Sequence, residues 1–79
     1  MTHPPGIKHR LCTIYQFEQE KMYRLAYNMD DPKLRGKAVV FKDWHHTLGD
    51  VWRCKVNLVN GDGSLGEEWL VKPSCLIRL

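Results

Sequence analysis

The strongest constraint on the fold is a run of alternating apolar and polar residues at positions 51–59. Successive side chains of an extended chain point to opposite sides, so this alternation predicts a β-strand that is buried on one face. The buried face is expected to hold Trp52, Cys54, Val56 and Leu58, and the solvent face Arg53, Lys55 and Asn57. A glycine-rich turn at residues 60–66 follows, and the pattern of residues 67–72 predicts another strand. The whole segment therefore predicts an antiparallel hairpin.

Three further segments predict strands of the same sheet. Residues 22–28 alternate between large apolar and polar side chains, residues 37–42 contain a Val-Val-Phe run, and residues 76–79 are short and largely apolar. Such alternation and β-branched or aromatic content are typical of strands. Pro73 lacks a backbone N–H, so it ends the strand before it and favours a single 3₁₀ turn.

The connections between these strands differ in how clearly they are marked. Residues 29–36 predict a loop, because Asp-Asp-Pro disfavours a helix and Gly36 tolerates positive φ. Residues 43–50 contain Leu-Gly-Asp and no apolar period, so they predict a polar loop between the second and third strands. Residues 7–21 form an N-terminal extension whose apolar spacing fits a strand and a short helix alike, and residues 1–6 are a proline-rich, flexible lead-in.

Short strands joined by turns, without a crossover helix, predict an all-β fold in which five to six antiparallel strands close into a small barrel. We expect residues 1–79 to form a single domain, with the barrel in residues 22–79. A barrel this small gains stability by burying an aromatic face against a second copy, so a homo-oligomer is among the expected assemblies.

The order of strands, loops and the single 3₁₀ turn resembles the SH3-like small β-barrel. Four stretches carry the resemblance, namely Tyr-Arg-Leu-Ala-Tyr-Asn at 23–28, Gly-Lys-Ala-Val-Val-Phe at 36–41, Gly-Asp-Val-Trp at 49–52 and Trp-Leu-Val-Lys-Pro-Ser-Cys-Leu at 69–76. Unrelated groups share this architecture, so the resemblance implies a fold and no particular activity.

Three of those groups can be compared with the residues of this chain. Signalling SH3 domains hold a polyproline helix on aromatic side chains beside an acidic cluster, for which this chain offers Asp30 and Asp31. Tudor modules need several aromatic rings that converge on a methylated cation. Type II dihydrofolate reductases have Val-Gln-Ile-Tyr where this chain has Trp-Leu-Val-Lys at 69–72, so that resemblance implies no reductase activity.

Charge and cysteine content limit the kinds of partner, metal site and cellular location that are expected. Twelve Lys and Arg against nine Asp and Glu give a net charge of +3, which is modest for a dedicated nucleic-acid binder. Cys12, Cys54 and Cys75 are odd in number and lack Cys-x-x-Cys spacing, so neither a disulfide framework nor a zinc site is predicted, and a cytoplasmic location is expected. No apolar run approaches the roughly 20 residues of a membrane span.

The candidate partner-binding surface centres on the predicted loop at 43–50. Trp44 lies there without periodic apolar partners, and an exposed tryptophan is a frequent anchor of protein interfaces. We therefore expect a small non-enzymatic module that binds an unidentified protein. The residues expected to contact it are Trp44, His45, His46, Tyr23 and Tyr27. The two histidines are adjacent, so their rings point apart in an extended chain, and no metal site, cofactor or catalytic set is predicted.

The alternative function is binding of RNA or single-stranded DNA through a weakly basic sheet face. Lys37, Lys42, Arg53 and Lys55 occupy positions that are expected to face outward on two neighbouring strands. Such a patch beside an aromatic ring suits a phosphate backbone and a stacked base. The same basic residues are also typical of an ordinary solvent-exposed sheet face, with the two glutamates at 67–68 on the neighbouring strand.

Overall fold

The computed structural model describes residues 15–27, 29–49 and 51–79. Across these residues the chain forms five strands and one short 3₁₀ turn, which confirms the prediction of a mainly β fold. The elements are β1 (Met22–Leu25), β2 (Ala38–Thr47), β3 (Val51–Val59), β4 (Leu65–Val71), the 3₁₀ turn (Pro73–Cys75) and β5 (Leu76–Arg78).

All of the strands belong to one antiparallel sheet in the order β4-β3-β2-β1-β5. In the part of the chain that the structure describes, β4 and β5 are therefore the two edges, and the strand pairing does not close on itself. The mainly β architecture is established, and the closed barrel stays a prediction. The predicted hairpin between β3 and β4 is present, with its turn held by the Asn60 N–H donating to the Ser64 carbonyl at 2.8 Å.

The core lies on one face of this sheet. On β3 the alternation predicted from sequence is confirmed, because Trp52, Cys54 and Val56 are buried and Leu58 packs against the core. The other described core residues are Tyr23, Leu25, Leu34, Val39, Phe41, Trp44, Val71 and Leu76. Burial of apolar surface stabilises such a cluster by about 25 cal/mol per Å².

The predicted loop at residues 43–50 is wrong over most of its length, because β2 continues through Thr47. The register between β2 and β3 shifts between Phe41 and Asp43, which is a β-bulge. A bulge inserts one extra residue and resets the alternation, so Trp44 returns to the same face as Phe41. That break in the period is why this stretch looked irregular in the sequence. Trp44 is only 5% exposed and lies in the core.

The chain before β1 packs across one end of the core. The ring centroid of Phe17 lies 5.1 Å from that of Tyr23, 5.6 Å from that of Phe41 and 5.8 Å from that of Trp44. Arg78 donates from Nη2 to the Tyr15 carbonyl at 2.7 Å, which ties this segment to β5. Within residues 15–21 the chain forms no strand; the rest of the predicted extension, residues 7–14, and the lead-in lie outside the described residues.

Candidate functional site

The five residues predicted to contact a partner do not form one exposed surface. Trp44 is core, and Tyr23 is 0% exposed, with its hydroxyl accepting the Glu18 N–H at 2.8 Å. Neither ring therefore presents a surface to a partner. The prediction that Trp44 is an exposed anchor is wrong, because the bulge in β2 turns its side chain to the core face.

The two histidines lie on opposite sides of β2, as their adjacency predicts. His46 stands opposite Trp52, and its ring stacks on the indole with a centroid separation of 4.6 Å and an interplanar angle of 12°. His45 stands opposite Arg53 on the other face. Tyr27 is 70% exposed, but it lies on the β1–β2 connection, where its ring packs over Gly36. These residues therefore remain separate features.

The basic residues predicted as a nucleic-acid surface are likewise interrupted by acidic ones. The Lys42 Nζ lies 2.6 Å from the Glu20 carboxylate. Lys55 stands opposite Asp43 in the β2–β3 register, and the Arg53 Nη1 donates to the Trp52 carbonyl at 3.2 Å. Lys37 precedes β2 and is exposed. The geometry therefore supports a mixed-charge face better than a continuous track for phosphates.

A different site emerges where the β1–β2 connection faces the end of β4. A surface cleft of about 350 Å³ lies between them. Its first wall is the connection itself, which contributes the apolar side chains of Met29 and Leu34 and the carboxylates of Asp30 and Asp31. A cleft of this size, with apolar lining and a few charged groups, has the character of a binding site.

Local interactions hold this acidic wall in place. Leu34 is 5% exposed and anchors the connection in the core. The Arg35 Nε donates to the Met29 carbonyl at 2.7 Å, and the Lys33 N–H donates to the Asp31 Oδ1 at 2.9 Å. At its base the Gly36 N–H donates to the Leu25 carbonyl at 2.9 Å. The wall is therefore built before any ligand arrives, which lowers the entropic cost of binding.

The second wall comes from the sheet. Trp69, Val71 and Lys72 line the cleft at the end of β4, and Arg53 joins them from β3. This wall contributes apolar side chains and two cations, and the connection contributes two carboxylates. In the described chain, none of these four charged groups has an ion pair within 4.0 Å. The opposite charges therefore flank the cleft without neutralising each other.

Trp69 carries a further feature of the cleft wall. Its Nε1 is buried and has no hydrogen-bond partner among the described residues. An unsatisfied buried donor costs about 1–3 kcal/mol. The structure places Trp69 between core and surface: its ring packs against the core and also lines the cleft.

The cleft could not be recognised in the sequence because its acidic residues, Asp30 and Asp31, lie about forty residues from Trp69 and Lys72. The acidic pair was visible as the counterpart of an SH3 acidic cluster, but nothing in the sequence showed that Trp69 and Lys72 lie across from it. Among the described residues, no group of three His, Cys, Asp or Glu side chains is arranged to hold a metal ion. No helix in the same residues is long and apolar enough to cross a membrane.

Comparisons with known protein families, with curated proteins and with solved structures find no match for this chain.

Proposed function

We propose that this protein is a small non-enzymatic binding module and that it takes a segment of a partner protein into the cleft between the β1–β2 connection and β4. The observation that carries the proposal is a cleft with apolar lining that also holds two carboxylates and two cations, none of which forms an ion pair among the described residues. The surface proposed to bind the partner is thus centred on Asp30, Asp31 and Trp69 and no longer on Trp44. The strand order and the 3₁₀ turn before β5 also support the finer proposal of an SH3-like barrel.

The chemistry of the cleft indicates what such a segment carries. An apolar side chain would pack between Leu34 and Trp69, and a Lys or Arg beside it would face Asp30 and Asp31. Exposed ion pairs contribute only about 0–1 kcal/mol each, so the apolar contact supplies most of the affinity and the charges select the partner. We therefore expect modest affinity that weakens as salt is added.

The test begins with a displayed library of random 12-residue peptides selected on the intact protein. The selected peptides are then measured by fluorescence anisotropy against wild type and against the double variant Asp30→Asn, Asp31→Asn. The expected result is enrichment of peptides that combine a basic residue with an apolar one, and affinity that falls about fivefold to tenfold in the variant.

A matched control removes two carboxylates that do not line the cleft, through Glu18→Gln with Glu20→Gln. Both lie in exposed ion pairs, so this variant should bind the peptides as wild type does. Equal binding by the Asp30 and Asp31 variant would contradict the proposal. A labelled single-stranded oligonucleotide is measured alongside; tight, salt-sensitive oligonucleotide binding with no peptide selected would favour the nucleic-acid alternative.

A further inference from the structure

The outer edge of β4 is open for pairing in the described sheet. β4 pairs with β3 on one side, and no described strand lies on its other side. Leu65–Val71 is seven residues long, and the backbone stays extended at Lys72, with φ −65° and ψ 142°. An edge strand of this length offers a row of unpaired N–H and C=O groups to another strand.

The side chains along this edge follow a definite order. The strand begins with Leu65 and Gly66, Glu67 and Glu68 follow, the apolar residues at 69–71 come next, and Lys72 lies just after the strand. Glu68 and Lys72 are both exposed, and neither has an ion pair within the described part of the chain. Residues 67–72, the later part of this edge, therefore run from acidic through apolar to basic side chains.

This order is complementary to itself when a second β4 runs antiparallel. With Leu70 opposite Leu70 of the second copy, Glu68 falls opposite Lys72 of that copy, and the twofold axis repeats the pair. Trp69 then falls opposite Val71 of the second copy, also twice. Directly opposite residues share a face, so opposite charges and apolar side chains each meet their complement.

Neighbouring registers lack this match. A shift that puts Trp69 at the axis sets Glu68 opposite Leu70, and one that puts Val71 at the axis sets Leu70 opposite Lys72. Registers that centre between two residues set the core face of one sheet against the outer face of the other, because side chains alternate. The charges therefore select one register.

We propose that two copies of this chain associate through their β4 edges, antiparallel and with Leu70 at the twofold axis, so that the two sheets become one continuous sheet. The partner is a second copy because the edge is complementary to itself, which is the condition for a closed twofold dimer. The ordinary role of charged residues on an edge strand is to keep it soluble. The test below separates that role from pairing.

The proposal goes beyond the function proposed above and does not depend on it. Trp69, Val71 and Lys72 also line the cleft, so a second copy and a peptide would compete for these residues. Peptide binding is therefore best measured at low micromolar protein, where monomer is expected. Failure of peptide binding would leave the dimer proposal intact, and a strictly monomeric protein would leave the cleft proposal intact.

The test is sedimentation velocity of the full chain from about 5 µM to about 1 mM, with circular dichroism as the check of folding. Wild type should shift from monomer to dimer over this range. Lys72→Glu sets like charges opposite each other at both ends of the pairing, so the dissociation constant should rise about tenfold or more. Glu68→Lys should do the same.

The decisive variant combines Glu68→Lys with Lys72→Glu, which exchanges the two charges and restores both pairs in the same register. Dimerisation should return to within about threefold of wild type. The matched control is Lys33→Glu, an equal charge change at an exposed residue outside β4, which should leave the dimer unchanged. A wild-type protein that stays monomeric at about 1 mM, or a double variant that stays as weak as the single ones, would overturn the proposal.

Discussion

Two tryptophans of similar appearance in the sequence occupy opposite situations in the fold. Trp44 is surrounded by aromatic rings, with Phe41 and Phe17 both at 5.8 Å between centroids. Trp69 is half-buried and lines a cleft beside charged side chains, and its indole N–H has no hydrogen-bond partner among the described residues. The first region is closely packed, and the second leaves space and charged groups beside the ring. Sites for ligands are expected in regions of the second kind, because their unsatisfied groups gain most when a ligand arrives.

The largest expected effect comes from truncating the packed tryptophan. Trp44→Ala should lose about 3–5 kcal/mol of unfolding free energy, since large aromatic side chains in a core cost that much when removed. A domain with about 5–15 kcal/mol of total stability would then be close to unfolding. Urea denaturation followed by circular dichroism measures the loss. The comparison variant Trp69→Ala should lose about half as much, and equal losses would erase the distinction between the two regions.

A smaller and more selective effect is expected from replacing only the indole. Trp69→Phe keeps an aromatic ring but removes the buried donor that has no partner, so the free energy of unfolding should stay within about 0.5 kcal/mol of wild type or rise. Trp44→Phe opens a void in a close-packed cluster and should cost about 1–2 kcal/mol. The same urea titration reports both variants. A larger loss for Trp69→Phe than for Trp44→Phe would show that the assignment of the two regions is reversed.

The smallest expected effect lies in the β3–β4 turn, away from both tryptophans. The Ser64 hydroxyl and backbone N–H donate to the Asp62 carboxylate at 2.6 Å and 3.0 Å and hold its pKa below the ordinary value. Because the pKa of Asp62 is lower in the folded chain, the stabilisation that these hydrogen bonds give the fold is complete above the ordinary carboxylate pKa. It is lost as the pH falls through the pKa of the folded state. Ser64→Ala should raise the pKa of Asp62, as measured by NMR titration; no change would contradict this hydrogen bond.

The parts of the fold that could be predicted from the sequence are those in which alternation is unbroken. Trp52, Cys54 and Val56 alternate without interruption, and the glycine-rich turn after β3 has an unmistakable composition, so both were predicted correctly. The end of β2 was not, because a bulge is a tertiary feature that shifts the period by one residue. The same shift moved Trp44 from the expected surface into the core.

The cleft could be anticipated only in part. Asp30 and Asp31 stand out as an acidic pair in a proline-containing loop, and the sequence shows Lys72 at the end of a strand. Their juxtaposition depends on where the β1–β2 connection is anchored, which Leu34 decides by its burial. Contacts between residues so far apart in the chain are fixed by packing and leave no periodic signal.

The most direct test of the central claim uses the indole N–H resonances of Trp44, Trp52 and Trp69 in a ¹⁵N-labelled protein. A peptide selected as described above is titrated into the protein, and the three signals are followed in one series of spectra. Binding in the cleft predicts that the Trp69 signal shifts with peptide concentration while the Trp44 signal stays in place. A shift confined to Trp44, with Trp69 unmoved, would contradict the account and return the partner surface to the end of β2.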